Sequence, residues 1–414
     1  MDFTLRFQLS LMMFLEYFIK GAWFVTLGTY LATNLKATGL ETANIFSTQS
    51  LGAVIAPFFI GLIADRYINA EKLLGVLHLF GAFLLYMMYS STSAASFYPY
   101  VLVYFIAYMS SLAISNAISF RHLPDAKKQF PTIRVWGTIG WITSGVAISY
   151  IFHWDQQEAI AMGALGNTFL LGTLFSLLLG IFSFTLPATP PIKHITASKN
   201  ITTLLGLDAL RLLRRRDFFI FIITAILICI PLSFYYQNAN PFLTAIGLPN
   251  PTAKMALGQF SEALCLLLVP LFFRKLGYKK MIIIGITAWV IRYLLFAYGD
   301  ADSLAFMLIL GIILHGVCYD FLFVVGQIYT DTIAGEQYKS SAQGLVTVAM
   351  YGVGMLIGFW IAGYIGEYLK AKDVTNYWWQ LWMYPATIAA AVLVVFIVLF
   401  KGKTAGNESS SLPG

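Results

Sequence analysis

Long apolar runs alternate along the chain with short polar turns. Twelve runs read as helices: 7–33, 42–64, 71–92, 97–121, 131–153, 159–186, 217–245, 252–274, 279–299, 303–333, 340–369 and 376–400. Most are apolar around the whole helical circumference, as helices facing lipid or buried in a bundle are. A membrane crossing takes about 20 apolar residues, and every run reaches that length. Lipid offers backbone N–H and C=O groups no water, so a spanning segment satisfies them internally as a helix. The run from Phe7 is longer than the apolar stretch of a signal peptide and contains Glu16 and Lys20, so it reads as a retained first helix.

Composition sharpens this picture. Of 414 residues, 59% are hydrophobic and only 11% charged, and the mean hydropathy is +0.76. A soluble domain is nearer half apolar and a quarter charged. The balance excludes a soluble enzyme, a disordered chain and a nucleic-acid-binding domain. The net charge of +7 then becomes a topology signal. One alternating set of loops and termini holds 19 Lys and Arg residues, and the other holds only Lys36, Lys254, Lys370 and Lys372. Positive charge marks the cytoplasmic side, so both termini are expected there, in a bacterial inner membrane. Cys229, Cys265 and Cys318 lie inside apolar runs with no CxxC pair, so neither a metal site nor a disulfide framework is expected. No P-loop, GxSxG or HExxH motif and no nucleophile–base set occurs. Neither an enzyme nor a cofactor is therefore expected.

The polar stretch 187–216 divides the chain near its middle. It opens with Pro187, Pro190 and Pro191, which break a helix, continues with an amphipathic segment from Leu204 to Leu213, and ends in Arg214, Arg215 and Arg216. This is a cytoplasmic linker that would lie on the anionic inner leaflet. It separates six-helix halves at 1–186 and 217–400, and a tail follows at 401–414. A weak repeat supports the halves. The second-to-third helix link runs from Gly61 through Asp65 and Arg66 to Lys72. The eighth-to-ninth link runs from Phe273 through Gly277 to Lys280, with Lys72 and Lys280 208 residues apart. Gly354 and Gly358 form a small-xxx-small packing motif.

The link Gly61-Leu-Ile-Ala-Asp65-Arg66-Tyr-Ile-Asn-Ala-Glu-Lys72 resembles the signature between the second and third helices of major facilitator transporters. The signature's second glycine is absent; Ile68 and Asn69 stand there. A closer resemblance lies in Ile133-Arg134-Val-Trp136-Gly137-Thr138-Ile-Gly140. Thr203-Leu-Leu-Gly206-Leu-Asp208-Ala, Ala288-Trp289-Val-Ile-Arg292 through Asp300, and Ser341-Ala342-Gln343-Gly344 extend it over both halves. Together these are similar to bacterial nucleoside:proton symporters. The resemblance implies an all-α major facilitator fold of twelve transmembrane helices, working as a monomer. Nucleosides and protons would be carried by rocking of the halves around a midplane site. It also implies that Asp65 and Arg66 belong to a cytoplasmic gating cluster.

Ionisable groups inside a bilayer are costly, which makes each a candidate for function. Glu262 follows Gln259 by three residues, on one helix face. A carboxylate and a carboxamide there can hold ribose hydroxyls or a base edge, and Glu262 can take up a proton. Asp320 sits between Tyr319 and Phe321; it can carry the coupling proton, and Tyr319 can stack on a base. Arg134, Thr138 and Trp141 share a face at i, i+4 and i+7. Arg134 also reads as a snorkelling cation near the cytoplasmic end. In the seventh helix Ser233 and Tyr236 stand where the resembled proteins carry Gln and Asn. Gln237, Asn238 and Asn240 lie nearby to compensate, and Pro241 is expected to break that helix.

Glu16 and Lys20 have two readings. They form a self-neutralising i,i+4 pair, or Glu16 is an extra proton site and Lys20 meets an anionic or carbonyl-rich ligand. Arg292 is expected to pair with a carboxylate, and His315 to pack or relay protons. The rival functions are proton symport of another small polar solute, such as a sugar or acidic sugar, and a sensor that binds without transporting.

Overall fold

The computed structural model describes residues 2–59, 68–191, 207–372 and 375–401. The described residues are helical throughout, apart from turns and short connections. The elements are α1 (Phe3–Phe24), α2 (Leu27–Thr33), α3 (Gly39–Phe59), α4 (Ala70–Tyr89), α5 (Ala94–His122), α6 (Ala126–Val146), α7 (Gln157–Ala161) and α8 (Asn167–Ser183). They continue with α9 (Arg216–Ala245), α10 (Pro251–Tyr298), α11 (Ala305–Ile313), α12 (His315–Tyr319), α13 (Val325–Thr347), α14 (Met355–Ala371) and α15 (Tyr377–Leu399). Among the described residues, nine helical runs are long and apolar enough to cross a membrane. One of these, α10, has 48 residues and folds at Gly277 into two spans. With the less apolar α3 and α6, the count reaches the expected twelve.

The expected boundaries fail where single residues decide them. The first span is broken into α1 and α2 at Val25 and Thr26, where the Thr26 hydroxyl donates to the Trp23 carbonyl at 3.2 Å. The fifth span starts earlier than its apolar run, at Ala126, because the Asp125 carboxylate accepts from the Lys128 N–H and caps the helix. The expected break at Pro241 is absent, and α9 continues to Ala245. Proline is tolerated there because neighbouring helices cover the freed carbonyl. That carbonyl belongs to Gln237, and Gly28 of α2 approaches it so closely that an added Cβ would lie 2.5 Å away.

Gly277 (φ 65°, ψ 178°) and Gly335 (φ 62°, ψ 178°) adopt a backbone region open essentially only to glycine. They turn the chain between the eighth and ninth spans and between the tenth and eleventh. Three stretches widen to π-helix: Ala147–Ile151, Asp320–Val324 and Val348–Gly354. Such turns occur frequently at functional sites, and Asp320 opens one of them. Leu207–Arg214 of the linker forms a 3₁₀ helix; linker residues 192–206 and the pair Asp65 and Arg66 lie outside the described residues.

The chain packs into two compact units. The first comprises Met1–Asn200, Tyr235–Gln259 and Phe359–Glu367; the second comprises Ile201–Phe234, Phe260–Gly358 and Tyr368–Gly414. In the first, α1 is the central helix, with Trp23 set against Tyr104, Phe105 and Phe169 at ring distances of 5.4, 5.6 and 5.6 Å. The start of α10 is also anchored there. Asp155 accepts from the Thr252 N–H (3.1 Å) and from the Ser149 hydroxyl (2.5 Å), while Ser149 accepts from the Ala253 N–H (2.9 Å). These contacts satisfy helix-end donors that would otherwise be orphaned. In the second unit, Tyr293 stacks on Trp382 (5.7 Å) and donates to the Pro231 carbonyl (2.5 Å). Gly354 and Gly358 pack directly on α9, meeting Cys229 and Ser233.

Candidate functional site

The first unit assembles its site on α1, α6 and α9. Gly140 lies so close to α1 that an added Cβ would be 2.2 Å from the Phe14 carbonyl oxygen, and at Gly137 it would be 2.7 Å from the Tyr17 ring. Those two glycines of the Arg134–Gly140 motif therefore set the α1–α6 approach. That approach fixes where the intervening side chains point. Arg134, Thr138 and Trp141 all remain half-buried along one face of α6. The Arg134 guanidinium lies over the Tyr17 ring at 4.0 Å, a cation–π contact rather than a headgroup-seeking pose. Phe24 joins α1 to this face, with Trp141 edge-on at 6.5 Å and Tyr236 of α9 edge-on at 6.0 Å. Gln237 is buried, and its side-chain oxygen has no hydrogen-bond partner among the described residues. Asn240 is engaged in packing. Its oxygen accepts from the Thr29 hydroxyl at 2.5 Å, and its nitrogen faces Thr252 at 3.5 Å. Gln259 is half-buried at the edge of this unit.

Glu16 and Lys20 take different partners, so of the two readings the self-neutralising i,i+4 pair gives way. Glu16 is fully buried and accepts from Ser111 (2.6 Å) and Ser115 (3.1 Å), with His78 Nε2 at 2.9 Å. His78 is held in turn by Ser176, whose hydroxyl lies 3.3 Å from Nδ1 and donates to the His78 carbonyl at 2.8 Å. Lys20 instead donates to Gln49 at 2.9 Å and lies over Phe24 at 4.6 Å. His78 and Gln49 are functional candidates that the sequence reading passed over. His78 is a lone polar residue in an apolar run, Gln49 lies in the polar stretch Ser47–Ser50, and only the fold shows the partner of each.

The second unit assembles its site on α10, α12 and the π-helical turn after it. Gly316 packs so tightly on α10 that an added Cβ would be 2.5 Å from the Ser261 carbonyl oxygen. This brings His315 beside Glu262, with Nε2 3.6 Å from Oε2. Arg292 meets the imidazole: Nη1 lies 2.9 Å from His315 Nδ1. A guanidinium can only donate, so Nδ1 accepts and the ring proton sits on Nε2, facing Glu262. Glu262 itself is about one-third exposed, whereas His315 is buried. Asp320 is 1% exposed, lies within electrostatic range of Glu262, and leaves Oδ2 without a hydrogen-bond partner among the described residues. Tyr319 and Tyr351 share a short hydroxyl–hydroxyl hydrogen bond, and the Tyr319 ring lies 4.8 Å from Phe323. Among the described residues, no three His, Cys, Asp or Glu side chains converge to hold a metal ion.

These features suit a carrier of a flat, hydroxyl-bearing solute and protons. One set offers aromatic faces, amides and fixed cations, and the other offers carboxylates linked to an imidazole. The family model described as Nucleoside H+ symporter matches residues 3–405. The chain belongs to the nucleoside:proton symporter family. YegT of Escherichia coli (strain K12), a putative nucleoside transporter by its description, is 40% identical over 95% of this chain and 93% of its own length. The xanthosine permease of the same organism is 30% identical over 96% of each chain. The crystal structure of the nucleoside transporter NupG superposes with a TM-score of 0.85 at 29% identity. That match covers 97% of this chain and 100% of NupG. The likeness to NupG accounts for the twelve helices. The symporter family is one of membrane transporters, and the composition required a membrane protein.

Proposed function

We propose that this chain takes nucleosides up across the bacterial inner membrane together with protons, both termini lying in the cytoplasm. Proton handling falls to the second side-chain set, which also contributes to recognition. Trp141 and Tyr236 stack on the base, Thr138 and Gln237 read its polar edge, and Arg134 is held in place by Tyr17. Gln259 and Glu262 bind ribose hydroxyls, for which a carboxylate and a carboxamide are matched acceptors and donors. Tyr319 adds a further aromatic face. Asn240 supports the site through Thr29.

Protons are carried by Asp320 and Glu262. Protonation removes a charge that is expensive to hold inside a bilayer, so loading a proton favours the conformational change. The His315 Nε2–H facing Glu262 offers the carboxylate a partner when it is charged. The observation that carries this reading is the buried Asp320, with one carboxylate oxygen unengaged, beside the Arg292–His315–Glu262 chain. Glu16 was the third candidate for proton coupling. Its carboxylate is already satisfied by two serines and a histidine, and we assign it to holding α1, α4 and α5 together.

The test is uptake of labelled uridine and adenosine into proteoliposomes, with and without an inward proton gradient. Gradient-driven accumulation abolished by a protonophore is expected. Folded protein that accumulates neither nucleoside would refute the reading, and a sugar symporter or a non-transporting sensor would then be the next hypothesis.

A further inference from the structure

Lys20 is the chain's one Lys or Arg in the first span that sits on the inner part of α1, beyond the terminal Arg6. Among the described residues it has no carboxylate within ion-pair distance. Its surroundings are neutral: the Gln49 side-chain oxygen at 2.9 Å and the rings of Phe24, Phe105 and Tyr108 at 4.6, 5.5 and 5.6 Å. An ammonium has three donors, and Gln49 occupies one. Gln49 is itself buried, at 7% exposed. The ring that Lys20 covers most closely, Phe24, is the same ring that Trp141 and Tyr236 meet edge-on. The cation is thus one aromatic ring away from the pair that stacks on the base.

We propose that Lys20, held by Gln49 and Phe24, is a specificity-determining residue that selects nucleosides whose base edge presents carbonyl oxygens or a negative charge over those that present an exocyclic amine. The proposal rests on the nucleoside reading above. A desolvated cation with only neutral partners gains most from a ligand that brings acceptors or charge. An exocyclic amine aimed at the same ammonium sets donor against donor, which a buried site penalises. Gln49 is a positioning residue, acting through Lys20.

The experiment is competition against labelled uridine uptake in proteoliposomes under a fixed proton gradient, with unlabelled xanthosine, inosine, cytidine and adenosine as competitors. The wild-type protein is expected to rank xanthosine and inosine ahead of cytidine and adenosine. Lys20→Met should compress that ranking by about ten- to a hundredfold, the range expected for loss of one charge-assisted hydrogen bond. Lys20→Arg should preserve the ranking, and Gln49→Leu should compress it partly. Thermal stability in detergent monitors folding; were Lys20→Met not to fold, Lys20→Arg and Gln49→Leu still carry the test. An unchanged ranking in folded Lys20→Met, or in Gln49→Leu where that variant must stand in, would overturn the role of Lys20 while leaving nucleoside transport standing. So would an equal loss for all four competitors. Absence of uptake of any nucleoside by wild-type protein would overturn both readings.

Discussion

Each half of the chain places an imidazole beside a carboxylate, and the two pairs live in opposite surroundings. In the N-terminal half, His78 and Glu16 are 2.9 Å apart, and the carboxylate is fully buried with two serine donors. In the C-terminal half, His315 and Glu262 are 3.6 Å apart, and the carboxylate is about one-third exposed. His78 has a serine at its far nitrogen, whereas His315 has an arginine there. Close by, Asp320 keeps an oxygen without a hydrogen-bond partner among the described residues. The same pair of residue types is thus sealed in one place and reaches an open surface in the other. Exposure of the carboxylate separates the two pairs. A buried carboxylate held by three partners gains little from a proton, whereas one such as Asp320, with an oxygen lacking a hydrogen-bond partner among the described residues, gains much.

The largest effect is expected where the closed pair is opened. His78→Leu leaves the Glu16 carboxylate buried without its imidazole, which should destabilise the protein by about 3–5 kcal/mol. A steep fall in the thermal midpoint in detergent would show it. The double variant Glu16→Leu with His78→Leu should recover much of that loss, because no buried charge is left uncompensated. If the single and double variants melt alike, Glu16 is not held as described.

Next comes Asp320→Asn. It should leave the melting temperature nearly unchanged and cut gradient-driven accumulation by about a hundredfold, equivalent to about 2.7 kcal/mol. Nucleoside exchange without a gradient should survive. Loss of exchange and accumulation together would make Asp320 a binding or folding residue.

Glu262→Gln should weaken nucleoside affinity about tenfold, or about 1.4 kcal/mol, as expected for a lost charge-assisted hydrogen bond to a ribose hydroxyl. Binding of 2′- or 3′-deoxynucleosides to purified protein checks it: a deoxy analogue should lose less affinity on substitution than the parent nucleoside. An equal loss for both would remove the ribose from the contact.

The smallest effect belongs to the helix-end anchor of the first unit. Ser149→Ala removes a hydroxyl that donates to Asp155 and accepts from the Ala253 N–H. It should cost about 1 kcal/mol of stability, typical of a lost cap, read as a modest shift in the thermal midpoint. A drop as large as that of His78→Leu would place this anchor on a par with the Glu16 cluster.

Much of this contrast was hidden in the sequence for physical reasons. The twelve spans were legible because apolar length is a local property. Their exact ends were not, since the Thr26 hydroxyl, the Asp125 cap and Gly277 each move a boundary through backbone hydrogen bonding or φ. The Arg134–Thr138–Trp141 face was legible because helical spacing places the three on one side of α6. The partner of Glu16 was not, because the nearer charge along the helix, Lys20, competes with His78 on another helix, 62 residues away in sequence. Local spacing favoured the former, and packing chose the latter. The Arg292–His315 contact was hidden in the same way, because the two residues lie 23 positions apart and only packing brings them together. Gln49 and Phe24 acquire meaning only once α1 and α3 are packed, so no single stretch of sequence carries them.

The central claim is that the coupling proton belongs to the open cluster and not to the closed one. The most direct measurement is proton-gradient-driven uridine accumulation in proteoliposomes containing Glu16→Gln protein or the double variant Glu262→Gln with Asp320→Asn. Exchange without a gradient, at uridine concentrations that offset the about tenfold weaker binding expected of Glu262→Gln, serves as the control for retained binding. The account predicts that Glu16→Gln still accumulates uridine against its gradient and that the double variant exchanges uridine without accumulating it. Accumulation that survives in the double variant and disappears in Glu16→Gln would contradict it.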